Sequence, residues 1–233
     1  MRSKAQIASI GQETPTVRTF TLEVSREFRF LPGQWVDCYA EVEGSLQVAG
    51  YSMTSSPTRT GMIELAVKNV GDNPVTHYLH HDAEVGDTLY VEGGHGDFFF
   101  NGGVADSLVL IGGGIGLTPL MSMLSYVDEA APEIEVLLLH SARAPEELLF
   151  RGRIEAVERR NPRVRAVFTL TGPPPKDWSG RVGRIDGAML REVGADLGAL
   201  FYVCGPPGMP ENVADEAVGT GVARRRILFE RWW

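Results

Sequence analysis

Cysteine is scarce in this chain: Cys38 and Cys204 are the only two among 233 residues. Two are too few for a disulfide framework, and they exclude a four-cysteine iron–sulfur cluster carried by this chain alone. The pair points to a reducing compartment, with a single bridge as the alternative. A basic surplus is also missing, since 22 Lys and Arg stand against 30 Asp and Glu for a net charge of −8. This argues against a general nucleic-acid binder, which neutralises phosphates with a basic field, and against acidic partners. No apolar run approaches the roughly 20 residues that cross a bilayer. The opening MRSKAQIASIGQETP has no apolar core of the kind a secretion signal needs. These absences lead to the expectation of a cytoplasmic protein that engages neither nucleic acid nor membrane. What is present is a globular composition, 43% hydrophobic and 22% charged, without internal repeats or low-complexity tracts.

Up to about Phe100 the chain shows short runs that alternate apolar and polar residues: VRTFTLEV, WVDCYAEV, MIELAVKNV and DTLYVEG. Turn-rich segments separate them, as in a small antiparallel barrel or sandwich. After Asn101–Ser107 the period changes. LVLIGGG is a continuous apolar run, TPLMSMLSYVDEA is helical, and IEVLLLHS is a second buried run. Strand, helix, strand in that order signals a parallel sheet. The alternation goes on with a helix over PEELLFRGRIEAVERRN, then VRAVFTLTG, IDGAMLREVG, ALFYVCGPP, MPENVADEAVGTG and the strand RRILFERWW. Two domains are expected, residues 1–103 and 104–233.

Two glycine clusters follow strands in the second part. In IGGGIGLTPL (111–120) the usual dinucleotide fingerprint fails, because Leu117 and Thr118 stand where a third glycine belongs. The glycines still remove Cβ atoms where a ligand can approach, and Thr118 followed by Pro119 reads as N-cap and first helical residue. An anion suits such a helix start; the alternative is a tight turn with no ligand. The second cluster, VCGPPGM (203–209), falls at the same carboxyl edge of the sheet, where doubly wound folds bind ligands. Cys204 taken by itself reads as inert packing. His77, His80 and His81 share a helix face, but no carboxylate or cysteine completes a set, so no metal site is expected. The run Arg224–Arg226 reads as a solvated entrance to the last strand.

LPGQW, GYSMTSSP, GGGIGLTPL and CGPPGM in this order resemble the ferredoxin–NADP reductase superfamily of flavoprotein reductases. IELAVKN and the ERWW end are most similar to the oxidoreductase NAD-binding-domain-containing proteins. The resemblance covers essentially the whole chain. It implies an N-terminal six-stranded antiparallel Greek-key β-barrel that holds flavin, and a C-terminal α/β domain with a doubly wound parallel sheet that holds a nicotinamide nucleotide.

It also implies roles for residues. Ser52 and Cys204 would be catalytic, the first near the flavin N5 and the second near the reacting nicotinamide carbon. Tyr51 would pack on the isoalloxazine, with Met53, Thr54, Val67, Lys68 and Thr76 completing the flavin site. Gly113, Gly114, Ile115, Gly116, Thr118 and Pro119 would take the nucleotide pyrophosphate, and Gly205, Pro206, Pro207 and Met209 would flank Cys204. Arg143, with Glu146 and Glu147 nearby, would bear on NADH against NADPH; the TLTG run lacks the Ser-Arg pair of many NADPH-specific relatives, so NADH is preferred. Of Trp232 and Trp233, one, taken as Trp233, would cover the flavin face, with core or interface packing as the alternative, and Pro32, Gly33 and Gln34 would be structural.

Two departures stand out: Ala49 occupies the place of the usual phosphate-neutralising arginine, and Asp72, Asn73 and Pro74 replace the usual glycines before Thr76. The expected cofactor is FAD, with FMN or no flavin as alternatives. The expected activity is hydride transfer from NAD(P)H to flavin and then electron transfer to an acceptor, a separate protein among the candidates. The alternatives are an NAD(P)H-binding sensor or regulatory subunit that has lost flavin, and an electron-transfer subunit that needs a partner oxidoreductase.

Overall fold

The computed structural model describes residues 2–231. Its first half holds β1 (Ser3–Thr14), β2 (Val17–Glu23), β3 (Trp35–Val42), β4 (Ser45–Ser52), β5 (Met62–Lys68), α1 (Pro74–His81) and β6 (Thr88–His95). Period-two alternation sends Phe20 and Leu22, Val36, Cys38 and Ala40, Ile63 and Leu65, and Leu89 and Val91 into one shared core. The antiparallel order is β4-β3-β6-β1-β2-β5, and a bridge between Met53 and Leu65 brings the two edges together as a Greek-key barrel. The two-residue β3–β4 turn, Glu43 and Gly44, has φ of 51° and 74°, the twist a tight hairpin demands. β1 and β4 do not stand out in the sequence. β1 buries only Ala5, Ile7 and Thr14, and β4 only Ser52, so neither shows an alternating stripe.

The second half holds β7 (Ser107–Gly113), α2 (Leu117–Ala130), β8 (Glu135–Ala142), α3 (Arg151–Arg160), β9 (Val164–Leu170), β10 (Arg181–Val182), α4 (Gly187–Glu192), β11 (Leu200–Gly205), α5 (Met209–Thr220) and β12 (Ile227–Arg231). Its parallel order is β10-β9-β8-β7-β11-β12. Both faces are covered, which is why β7, β8 and β11 read as unbroken apolar runs. Leu108, Leu110 and Leu138 meet α2 on one face; Val109, Ile111, Phe201 and Val203 meet α4 and α5 on the other. Strand order reverses at the β7–β11 pair, where such sheets open a crevice.

The helix expected over 145–161 is shorter. A single tight turn at Pro145–Glu147 is followed by Phe150 with φ 52°, and α3 starts only at Arg151. Leu148, Leu149 and Phe150 are all buried, and three consecutive buried side chains do not fit one helix face. The Phe150 N–H donates instead to the Glu13 carboxylate of β1 at 2.7 Å.

The halves are packed together. Val17, Ala66, Phe98 and Phe100 join the core of the second half. Tyr202 donates to the Phe99 carbonyl at 2.9 Å, and Ser122 to the Ser55 carbonyl at 2.7 Å. Arg59 reaches Glu129 at 2.5 Å and Arg153 reaches Glu64 at 2.8 Å. Cys38 and Cys204 are both free and buried, which removes the bridge alternative.

Candidate functional site

β7 ends at Gly113, one tight turn spans Gly114–Gly116, and α2 begins at Leu117. That turn brings the helix start forward and corrects the expected cap. Gly116 is the N-cap, Thr118 lies inside the first turn, and its hydroxyl donates to the Ile115 carbonyl at 2.9 Å. No side chain caps α2 and no acid stands in its first turn, which suits an anion at this helix start, although the Leu117 N–H already donates to the Gly114 and Ile115 carbonyls and Pro119 has no N–H to offer.

The glycines serve two purposes. A Cβ on Gly116 would sit 2.5 Å from the Cys204 carbonyl oxygen, one on Gly113 2.3 Å from Met209 Sδ, and one on Gly205 2.6 Å from the same sulfur. The two glycine clusters therefore interlock, and most of their glycines are there for close approach of chain to chain. Gly114 differs. It has φ +51° and a Cβ there would meet nothing within 4 Å.

Beneath this turn lies His140 on β8, which the sequence reading passed over as one polar letter in an apolar run. It is fully buried and in register with Gly112. Its Nδ1 lies 3.1 Å from the Gly112 carbonyl, and its Nε2 accepts the Leu149 N–H at 3.2 Å. These partners require neutral imidazole with the proton on Nδ1, and burial lowers its pKa to about 4. One side chain thus ties the glycine turn to the loop that carries Arg143.

On the barrel side, the half-buried Tyr51 shares a hydrogen bond of 2.8 Å with Thr76 of α1. Burial pushes the Tyr51 phenol well above its ordinary pKa, so it stays protonated. Ser52 is buried and paired with Trp35. The side chains of Met53, Thr54 and Val67 are buried, and their main chain is engaged within the protein: the Met53 and Thr54 N–H groups donate to the Gln34 and Glu64 carbonyls at 3.1 and 2.8 Å, and the Val67 carbonyl meets His80 Nε2 at 2.9 Å. Lys68 is half-buried at the end of β5.

The residues fit the ring of a flavin better than its phosphates. Tyr51 offers a flat face and Ser52 a hydroxyl. At the start of α1, however, the Asn73 side chain accepts from the amides of Val75 and Thr76 at 2.9 and 3.3 Å and donates to the Val48 carbonyl at 3.1 Å.

Ser52 and Cys204 come from different halves, and the residues in register with them, Trp35 and Glu230, both approach Gly96. Ser52 pairs with Trp35; a Cβ at Gly96 would lie 2.8 Å from Trp35 Nε1 and 3.7 Å from Glu230 Oε1; Glu230 pairs with Cys204. His95 stacks on Trp35 with ring centroids 4.9 Å apart. Trp35 ends LPGQW and Glu230 begins ERWW, yet neither they nor His95 received a role from sequence. Burial, and next the charge of Glu230, raise the Cys204 thiol far above its ordinary range, so it is a neutral, compact group and no nucleophile.

Pro206 and Pro207 are exposed at the crevice mouth beside half-buried Met209, and Pro119 is buried in α2. Arg143 is exposed on the loop after β8; its N–H donates to Glu147 at 3.3 Å and its carbonyl accepts from Gly172 at 3.2 Å. Trp232 and Trp233 lie outside the described residues. His77 and His81 stack at 4.4 Å, and the described residues contain no group of three or more side chains that could hold a metal. No helix among them is long and apolar enough to cross a membrane. A cavity of about 350 Å³ is lined by Thr54 together with Thr19, Glu64 and Arg153, and another of about 450 Å³ lies beside Phe168 and Trp178; neither touches Ser52 or Cys204.

Residues 4–100 match the oxidoreductase FAD-binding domain family and residues 110–215 the oxidoreductase NAD-binding domain family. The chain is 33% identical over 251 residues to Oxidoreductase NAD-binding domain-containing protein 1 of Danio rerio, covering 98% of this chain and 91% of that protein. It is 32% identical over 210 residues to the glycine betaine monooxygenase reductase subunit of Chromohalobacter salexigens, covering 88% of this chain and 57% of that subunit. The flavohem-like FAD/NAD-binding domain of nitric oxide dioxygenase from Vibrio cholerae has the same fold, with a TM-score of 0.86, 24% identity, and coverage of 99% and 98%.

Proposed function

This chain belongs to the oxidoreductases that join a FAD-binding to an NAD-binding domain, and from that premise we propose that it carries hydride from NADH to a flavin at the Ser52–Cys204 crevice. The observation that carries the reading is that Trp35, in register with Ser52, and Glu230, in register with Cys204, both approach Gly96, which sets strands of the two halves side by side next to the reversal of strand order. A flavin supplies a two-electron acceptor there; the chain supplies position. Gly114 and the uncapped start of α2 receive the pyrophosphate, neutral Cys204 shapes the approach of the nicotinamide without competing for hydride, and Tyr51 and Ser52 set the ring that accepts it.

The two functional units divide at 103/104. NADH is the preferred donor: Glu146 and Glu147 stand on the loop after β8, and TLTG ends β9 without an arginine. The electrons leave for an acceptor outside this chain. The name of the reductase subunit relative favours a second form of the reading, in which that acceptor is a partner protein. The two free, buried thiols suit the cytoplasm.

The test is the visible spectrum of the protein with flavin added, followed anaerobically as NADH or NADPH is supplied. Bleaching that is faster with NADH is the expected result. A spectrum that neither nucleotide changes would sink the hydride-transfer reading and leave a nucleotide-binding module.

A further inference from the structure

The two phosphate-facing helix starts of this molecule are built differently, and from that difference, resting on the reading above, we infer that the site grips flavin by its isoalloxazine ring and not by its phosphates. Its ligand class is flavin in general: riboflavin, FMN and FAD are held about equally and exchange with solution.

A pyrophosphate must be met by cations or by amides that lack a partner. The start of α2, on the nucleotide side, has neither a side-chain cap nor a first-turn acid; its Leu117 N–H donates to the Gly114 and Ile115 carbonyls, but no side chain stands in the way of an anion. The start of α1, which touches Tyr51 through Thr76, is closed. Asn73 takes the Val75 and Thr76 amides with its oxygen and is anchored at its other end on the Val48 carbonyl. A phosphate could reach those amides only by displacing a cap that is fixed at both ends. Asp72, one residue earlier, adds a negative charge.

Cations do not make up the difference. Ala49 and Tyr51 of β4 pack on the cluster that contains Val75 and Leu79 of α1, and neither carries charge. The Arg18 guanidinium is engaged at the opposite end of α1, donating to the carbonyls of Leu79 and His80 at 2.8 and 3.0 Å. Lys68 is the one Lys or Arg on β4, β5 or α1, a single flexible point charge that holds a phosphate with less directional grip than a guanidinium fork. The ring end, by contrast, is furnished with Tyr51 and Ser52.

The experiment is a fluorescence titration of the full chain, stripped of any bound flavin, with riboflavin, FMN and FAD in turn, for the parent, Ala49→Arg and Asn73→Gly. The parent is expected to show three dissociation constants within about threefold of one another. Ala49→Arg is expected to tighten FMN and FAD about tenfold and leave riboflavin unchanged. Asn73→Gly, which frees two amides at little cost to the helix, should move FMN and FAD the same way. Parent FAD binding about a hundredfold tighter than riboflavin would overturn the inference alone. Failure to bind any of the three flavins, with NADH still bound, would overturn the proposed function and the inference with it.

Discussion

Alanine at Gly116 and at Gly114 should break different properties. At Gly116 the added Cβ would stand 2.5 Å from the Cys204 carbonyl oxygen and from the Gly205 nitrogen, whereas ordinary contact begins at 3.4 Å. The two loops would have to part by about 1 Å, and both obstacles are backbone, so no rotamer change relieves the clash. Overpacking of this kind costs about 1–3 kcal/mol, or a melting temperature lowered by about 4–8 °C at a midpoint of about 2 kcal/mol for a chain of this length. At Gly114 the Cβ would enter open space. Only the left-handed φ opposes it, at roughly 1 kcal/mol, but the methyl would stand where a pyrophosphate must come close. Gly114→Ala should therefore lose little stability and weaken NADH at least about tenfold. Urea unfolding paired with NADH fluorescence titration reads both effects. A Gly116→Ala protein that unfolds like the parent would refute the interlock of the two glycine clusters, and a Gly114→Ala protein that binds NADH like the parent would place the pyrophosphate elsewhere.

His140 makes stability depend on acid. Its pKa, ordinarily 6.5, falls to about 4 in the folded chain, so the unfolded chain binds the extra proton between those values and stability is lost as pH drops from about 6.5 to 4, by on the order of 3 kcal/mol. Unfolding curves across that range should show the loss, and His140→Gln should flatten it while raising the KM for NADH more than it lowers kcat. Both thiols should resist alkylation in the native protein, since burial pushes Cys38 up to about 12 and Cys204 higher still. Mass spectrometry after iodoacetamide at pH 8 should find no label until urea is added, and rapid native labelling of Cys204 would contradict its burial. The Arg59–Glu129 pair, with Arg59 46% exposed, should contribute only about 0.2–1 kcal/mol in a double-mutant cycle, and that contribution should shrink in high salt.

What could be read from the sequence follows from where each signal resides. β2, β3, β5, β6 and the parallel strands other than β10 announce themselves because one face or both are buried along their length, so the pattern is local; the two-residue β10 buries neither Arg181 nor Val182 and leaves no signal. β1 and β4 are invisible because their pairing is set by neighbours: Ala49 and Tyr51 of β4 are only half-buried and are covered by α1, which no window along β4 can reveal. The break before α3 escaped for a related reason. Phe150 adopts a left-handed backbone because its N–H is claimed by Glu13, a residue of the barrel 137 positions away in sequence. The glycine turns were legible as breaks in apolar runs; which of their glycines face a ligand was not, since Gly116 is explained by Cys204 and Gly114 by nothing but space. Site residues divide in the same way. Tyr51, Ser52 and Cys204 lie in strings whose order along the chain is informative, whereas Trp35, His95, His140 and Glu230 acquire meaning only from what the sheets bring beside them. A crevice between two halves is a property of pairing at long range, so its walls are legible one strand at a time and its chemistry only after both sheets have closed on it.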